Sequence, residues 1–164
     1  MALTRINNQA LTNVTSAGLP SGTVLQVVQA HFPGTDDSST SILSPSLGSS
    51  QDFLTKSITT IEANSKIYVK TYSMHYISSG SAVNADGKLL RGSTEIDFCK
   101  YQIYQNDGVF IPFGFEMLDS PNVAAGTALT YKHQLKASAG TYSAGYGDSG
   151  GKVNSNIILM EIAG

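Results

Sequence analysis

Between Leu129 and Ser138 apolar and polar residues alternate without interruption. Leu129, Tyr131, His133, Leu135 and Ala137 fall on one side, and Thr130, Lys132, Gln134, Lys136 and Ser138 on the other. A period of two is that of a β-strand with one face on a core, and a helix of 3.6 residues per turn cannot bury such a set. Val109 to Leu118 repeats the pattern with Val109, Ile111, Phe113, Phe115 and Met117 on one side, while Pro112 and Gly114 predict an edge position or a bulge there. Further strand-like runs are Val24 to Phe32, Leu54 to Ile61, Lys66 to Ile77, Lys88 to Arg91, Phe98 to Tyr104 and Ile157 to Ile162, each bounded by Ser, Gly, Asn or Asp. Asp86-Gly87 and Asp107-Gly108 have the composition of hairpin turns. No interior segment sustains a helical repeat, so the chain reads as an all-β sandwich or barrel of short antiparallel strands.

With 164 residues the chain has the size of one ordinary domain. Two stretches stand apart from the strands. In residues 1–22, Leu3, Ile6, Ala10 and Val14 have helix-like spacing, but Asn7, Asn8 and Asn13 weaken a helix and Gly18-Leu19-Pro20-Ser21-Gly22 ends the segment, which reads as an arm. Pro33 to Gln51 is rich in Ser, Thr, Gly and Asp and reads as a long surface loop, as does the glycine-rich run from Ala139 to Val153.

Charge excludes several functions. Charged residues make up 13% of the chain and the net charge is −2. No basic run offers a track for phosphates, so nucleic-acid binding is not expected. No run of 18 apolar residues exists to form a membrane-spanning helix, and Met1 to Gln9 lacks the apolar core of a secretory signal, so synthesis in the cytoplasm is the expectation.

Strands 67–77 and 157–162 are apolar on both sides. Ile67, Val69 and Ile77 oppose Tyr68, Tyr72, Met74 and Tyr76; Ile157 and Leu159 oppose Ile158, Met160 and Ile162. A sandwich strand needs only one apolar face, so the second set calls for cover, either by a second subunit or by a loop such as Pro33 to Gln51.

One string suggests catalysis. Gly147-Asp148-Ser149-Gly150-Gly151 resembles the nucleophile segment of chymotrypsin-like proteases, and His31, Asp86 or Asp97, and Ser149 fall in that family's order. Lys152 stands where that family has Pro, and the setting of His31, Val28-Gln29-Ala30-His31-Phe32, lacks the family's Cys and small residues. A triad is defined by geometry and roles, so the string is read as loop and no catalytic residue is assigned. The loop carboxylates Asp36, Asp37 and Asp148 show no pairing suited to glycoside hydrolysis. His75 and His133 lie within strands as expected core or interface histidines, with ion binding on a three-fold axis as the alternative. The single cysteine, Cys99, is expected to be a small buried hydrophobe. No metal or cofactor site is assigned.

Several segments, in order along nearly the whole chain, resemble a known group. They are Leu3-Thr4-Arg5-Ile6-Asn7-Asn8-Gln9 with Leu19-Pro20-Ser21-Gly22-Thr23-Val24-Leu25-Gln26-Val27-Val28-Gln29, and then Leu89-Leu90-Arg91-Gly92-Ser93-Thr94-Glu95-Ile96. Leu118-Asp119-Ser120-Pro121 with Thr130-Tyr131-Lys132 follow, and the ending is Ile158-Leu159-Met160-Glu161-Ile162-Ala163-Gly164. Together they resemble short fibre-like virion structural proteins of tailed phages, especially marine and cyanobacterial ones. The long Pro33 to Gln51 loop and the aromatic Tyr68 to Tyr76 strand depart from that pattern.

The resemblance implies an antiparallel jelly-roll β-sandwich like the heads of tumour necrosis factor and C1q, over residues 23–164, assembled as a homotrimer. It implies an attachment arm over residues 1–22. Tyr68, Tyr72, Met74, Tyr76, Ile158, Met160 and Ile162 are the expected trimer interface, and Leu3, Ile6, Leu11 and Val14 the expected contacts of the arm with the particle. The implied role is a tail fibre or adhesin on the virion whose loops meet a host-surface glycan. The alternative is a capsid decoration protein stabilising the head. The expected partners are its own copies and other tail or capsid proteins, with no catalysis, no nucleic acid and no membrane insertion.

Overall fold

The computed structural model describes residues 18–32, 48–78, 83–103, 108–139, 141–145 and 155–164. The expected arm contacts Leu3, Ile6, Leu11 and Val14 lie outside the described residues, as do most of the Pro33 to Gln51 loop and Ser149. Ten strands run β1 (Val24–Phe32), β2 (Gln51–Thr59), β3 (Lys66–Ser78), β4 (Val83–Arg91), β5 (Thr94–Ile103), β6 (Val109–Phe113), β7 (Glu116–Asp119), β8 (Ala128–Ala137), β9 (Thr141–Ala144) and β10 (Ser155–Ile162).

All pairings among them are antiparallel. One sheet has the order β1-β10-β3-β6, with β7 and β9 also on β3; the other has the order β2-β8-β4-β5. The chain crosses between the sheets from β1 to β2, β2 to β3, β3 to β4, β5 to β6, β7 to β8 and β8 to β9, and the late strands β10 and β8 insert between β1 and β3 and between β2 and β4. That winding is a jelly-roll β-sandwich, the closed two-sheet solution for short antiparallel strands.

The alternation in the sequence becomes the division between core and surface. The odd residues of β8, from Leu129 to Ala137, are all buried, and on β10 Ser155, Ile157, Leu159 and Glu161 point inward. Ile67, Val69 and Ile77 of β3 meet Leu54 and Ile58 of β2 and Ala85 and Leu89 of β4 in one core. Each such aliphatic side chain contributes about 1.5–3 kcal/mol by leaving water. A bulge between Asp52 and Leu54 turns two consecutive residues, Phe53 and Leu54, into that core.

Several local expectations change. Asp86-Gly87 is not a turn but the middle of β4, paired to β5 and β8. Glycine is needed there for space, since a Cβ on Gly87 would fall 2.4 Å from the ring of Phe113. Gly108 enters β6, which pairs with β3, whereas β5 pairs with β4 in the other sheet, so Asp107-Gly108 joins no hairpin. The β4–β5 hairpin instead turns at Gly92-Ser93 between the paired residues Arg91 and Thr94, where Gly92 takes φ 62°.

The run from Val109 to Leu118 is two strands on the sheet edge, broken at Gly114, whose backbone lies so close to Thr71 that a Cβ would be 2.0 Å from its carbonyl oxygen. Phe115 is still held by two hydrogen bonds: its N–H donates to Thr71 Oγ1 at 2.9 Å, and its carbonyl accepts from Thr71 N–H at 2.9 Å. Within the expected loop from Ala139 to Val153, Thr141–Ala144 forms β9 against the far end of β3. Cys99 is exposed rather than buried, because β5 is a sheet edge whose residues are mostly open to water.

Candidate functional site

The register of the first sheet sets its outward side chains in rows. Val27 of β1 pairs with Met160 of β10, Met160 with Tyr68 of β3, and Tyr68 with Leu118 of β7, so four large apolar side chains cross four strands in line. The next row is Gln29, Ile158, Lys70 and Glu116. Beyond it lie Tyr72 opposite Asn156, Met74 opposite Pro112 and Tyr76 opposite Phe110. Val27 is 54% exposed, Leu118 50% and Tyr72 39%. All seven expected interface residues, Tyr68, Tyr72, Met74, Tyr76, Ile158, Met160 and Ile162, stand on this one outward face and none is buried.

Charge on this face is balanced locally. Tyr68 Oη donates to Glu116 Oε1 at 2.6 Å, and Lys70 Nζ lies 3.5 Å from Glu116 Oε2. The Tyr68 hydroxyl, with Lys70 beside it, holds the Glu116 carboxyl below its usual range, and the carboxylate pushes the Tyr68 hydroxyl up.

The outward face of the second sheet has the opposite character. Lys132 Nζ meets Asp52 Oδ2 at 2.7 Å, Gln134 Nε2 donates to Asp52 Oδ1 at 2.6 Å, and Lys88 Nζ meets Glu95 Oε2 at 2.6 Å beside the ring of Phe98. The bonds from Lys132 and Gln134 lower the Asp52 pKa. Exposed pairs of this kind contribute roughly 0–1 kcal/mol each, and what they describe is a solvated surface. The first sheet's outward face thus carries an apolar row beside a polar one, while ion pairs dominate that of the second.

Two polar clusters lie inside. Arg91 Nη1 straddles the Asp119 carboxylate at 2.8 and 2.7 Å, and the buried Tyr131 hydroxyl donates to Asp119 Oδ2 at 2.7 Å. Burial and that carboxylate together push the Tyr131 hydroxyl far up. Since Arg91 and Tyr131 belong to the second sheet and Asp119 to the first, the cluster joins the two sheets.

Glu161 is the second. Its buried carboxylate accepts from Gln26 Nε2 at 2.6 Å, Ser65 Oγ at 2.7 Å, Ile61 N–H at 2.8 and 2.9 Å and Glu62 N–H at 3.0 Å. Burial raises its pKa, but the bonds from Gln26, Glu62, Ile61 and Ser65 outweigh that and leave it lowered. Both clusters fasten loops and sheets.

The histidines resolve differently from one another. His31 is exposed on the outward face of the first sheet, while Asp86 lies on the outward-facing register of β4 in the second, so the thickness of the sandwich separates them and they form no part of a triad. Ser149 lies outside the described residues. His75 and His133 are fully buried within one subunit, which removes them from any three-fold axis. Their rings face each other from opposite sheets, with centroids 6.3 Å apart, inside a box made by Phe53, Phe113 and Phe115.

Reading the sequence did not single out Arg91, Asp119 and Glu161 as fold-determining contacts. One signal was available: Glu161 shares the inward period of Ile157 and Leu159, so a carboxylate had to be satisfied inside.

No protein-family model and no curated protein matches the chain. Among solved structures it is similar to that of infectious bursal disease virus, Gx strain, at 12% identity and a TM-score of 0.43 over 88% of this chain and 38% of that one. It is also similar to the enzymatically active domain of tailspike protein 4 of bacteriophage CBA120, at 14% identity and a TM-score of 0.33 over 83% of this chain and 19% of that one. The chain thus spans well under half the length of either.

Proposed function

We propose that this chain is a non-enzymatic structural protein of a tailed-phage virion, a homotrimeric tail fibre or adhesin whose first 22 residues dock on the particle and whose loops meet a host-surface glycan. The observation that carries the reading is the apolar row Val27, Met160, Tyr68 and Leu118 on the outward face of the first sheet. The segments resembling fibre-like virion proteins support it, as does the tumour-necrosis-factor-like architecture they imply.

The occupant of the face is a second and third copy of the same chain. Lys70 and Glu116 already balance one another on that face, and a net charge of −2 gives copies little reason to repel. Each large apolar side chain newly covered there adds up to about 1.5–3 kcal/mol.

Sedimentation equilibrium of the full chain tests this reading. A trimer at micromolar concentration is expected, and a monomer or dimer at that concentration overturns it. Copy number in the purified virion then separates tail from head, with tens or fewer for a fibre and hundreds for a decoration protein.

A further inference from the structure

The end of the sandwich at the root of the arm is closely pinned by hydrogen bonds. Gly22 N–H donates to the Ala163 carbonyl at 3.0 Å, and Ala163 N–H to the Thr23 carbonyl at 2.9 Å. Gly164 lies against the β2–β3 connection, where a Cβ on it would come 2.9 Å from the Asn64 carbonyl oxygen. Glu161 clamps that connection from inside: it accepts from Ile61 N–H, Glu62 N–H and Ser65 Oγ, and from Gln26 Nε2 close to the root. The β7–β8 connection is fastened to it in turn. Asn64 N–H donates to the Val123 carbonyl at 2.9 Å, Gly126 N–H to the Thr60 carbonyl at 2.7 Å, and Thr60 Oγ1 to the Ala124 carbonyl at 2.9 Å.

What these connections show to solvent is largely apolar. Ile61 is 49% exposed, and Ala63, Ala124 and Ala125 are exposed as well. Within residues 18–23, 60–65 and 120–127 the one charged side chain is Glu62. A buried carboxylate thus fixes the backbone of Ile61 while half of its side chain stays in water. Such an aliphatic knob is already ordered, and a partner can cover it without the entropy loss of ordering a loop.

We propose that this end is a rigid shoulder of the attachment surface, with Ile61 seated in an uncharged apolar hollow of the virion protein that takes the arm. The inference rests on the reading of residues 1–22 as an attachment arm, and it adds a seated contact to a tether. Residues 1–17 precede Gly18, and even fully extended they span at most about 60 Å, so a protein holding the arm is kept near its root. At that range a weak second contact forms within one complex, at an effective concentration up to the millimolar range. In the proposed trimer the sister copies cover the outward face of the first sheet. Ile61 belongs instead to a connection between the two sheets at the arm's end, which leaves it for the particle.

Photo-cross-linking in the particle tests the shoulder, with the full chain carrying a benzophenone side chain at position 61, 11 or 98 and the joined peptides identified by mass spectrometry. Positions 61 and 11 are expected to mark the same virion protein, and position 98, exposed on the second sheet, to leave it unmarked. Position 61 silent, joined only to its own chain or a sister copy, or no better than position 98, overturns the inference. Position 11 silent while position 61 marks a virion protein overturns the arm instead, and a chain absent from purified particles overturns the reading as a whole. Ile61→Asp keeps the N–H that Glu161 accepts, so it is expected to sediment as the wild type does while binding particles lacking the chain about tenfold or more weakly. Wild-type binding by that variant also overturns the inference.

Discussion

Arg91 and Asp119 stand in different sheets, yet one guanidinium nitrogen lies 2.8 and 2.7 Å from the two oxygens of that carboxylate. The three residues of this cluster, Arg91, Asp119 and Tyr131, come from three separate segments that carry the resemblance to phage virion proteins. The hairpin at Gly92, the end of β7 and the middle of β8 are tied at one point. Their chemistry is that of a cross-sheet staple.

Asp119→Asn removes the charge while keeping the shape, leaving Arg91 with a weaker partner and Tyr131 with a neutral acceptor. Breaking a well-buried ion pair costs about 3–5 kcal/mol, and the Arg91 side chain retains 29% exposure, so a loss of about 2–3 kcal/mol is expected. Urea denaturation measures it. A double cycle with Arg91→Met should show strong coupling, and additive losses would mean the two residues act separately.

Glu161 contributes stability only while ionised. Its folded-state pKa lies below the ordinary 4.5, so its contribution is complete above that value and is lost as pH falls through the lower, folded one. Glu161→Gln should cost about 1–3 kcal/mol at pH 7, since one amide oxygen replaces two charged acceptors. The variant should also flatten the stability profile between pH 5 and 3. A variant that keeps the wild-type profile in that interval would assign the acid sensitivity to other carboxylates.

Met160→Asp and Tyr72→Ser address the outward face. Both side chains point away from the core, so each variant should retain the β circular dichroism and monomer stability to within about 1 kcal/mol. Sedimentation velocity should show Met160→Asp as a monomer and Tyr72→Ser with a weakened trimer. A trimer of unchanged stability in both would place the interface on another surface.

Gly114→Ala and Gly87→Ala should differ in severity. The added methyl at position 114 meets the backbone of Thr71, which cannot rotate away, while at position 87 it meets the far end of Phe113. Overpacking of the second kind costs about 1–3 kcal/mol, and Gly114→Ala should exceed it. Phe113→Leu in the Gly87→Ala background should recover part of the loss, read by thermal unfolding.

Periodicity made the strands legible, because burial on one face imposes it on every residue of a strand; β1 matches its expected span of Val24 to Phe32 residue for residue. The two-sided apolar character of β3 and β10 is likewise visible in the sequence, and its second set of residues stands on the outward face. Local composition served less well. Asp86-Gly87 has the chemistry of a turn, but its glycine answers to Phe113 of the opposite sheet, and Gly92-Ser93 took the turn instead. β9 was hidden in a glycine-rich run, since four residues on the end of β3 are too few to show a period. Arg91, Asp119 and Tyr131 could not be joined by inspection, because their meeting depends on which strands cross between sheets.

Inserting β10 between β1 and β3 also sets an order of events at the ribosome. Among the described strands β1 pairs with β10 alone, Val24 opposite Ile162, so its hydrogen-bonding edge stays open until the chain has been made as far as β10. Closure of that sheet therefore spans a long sequence separation, and such closures are slow.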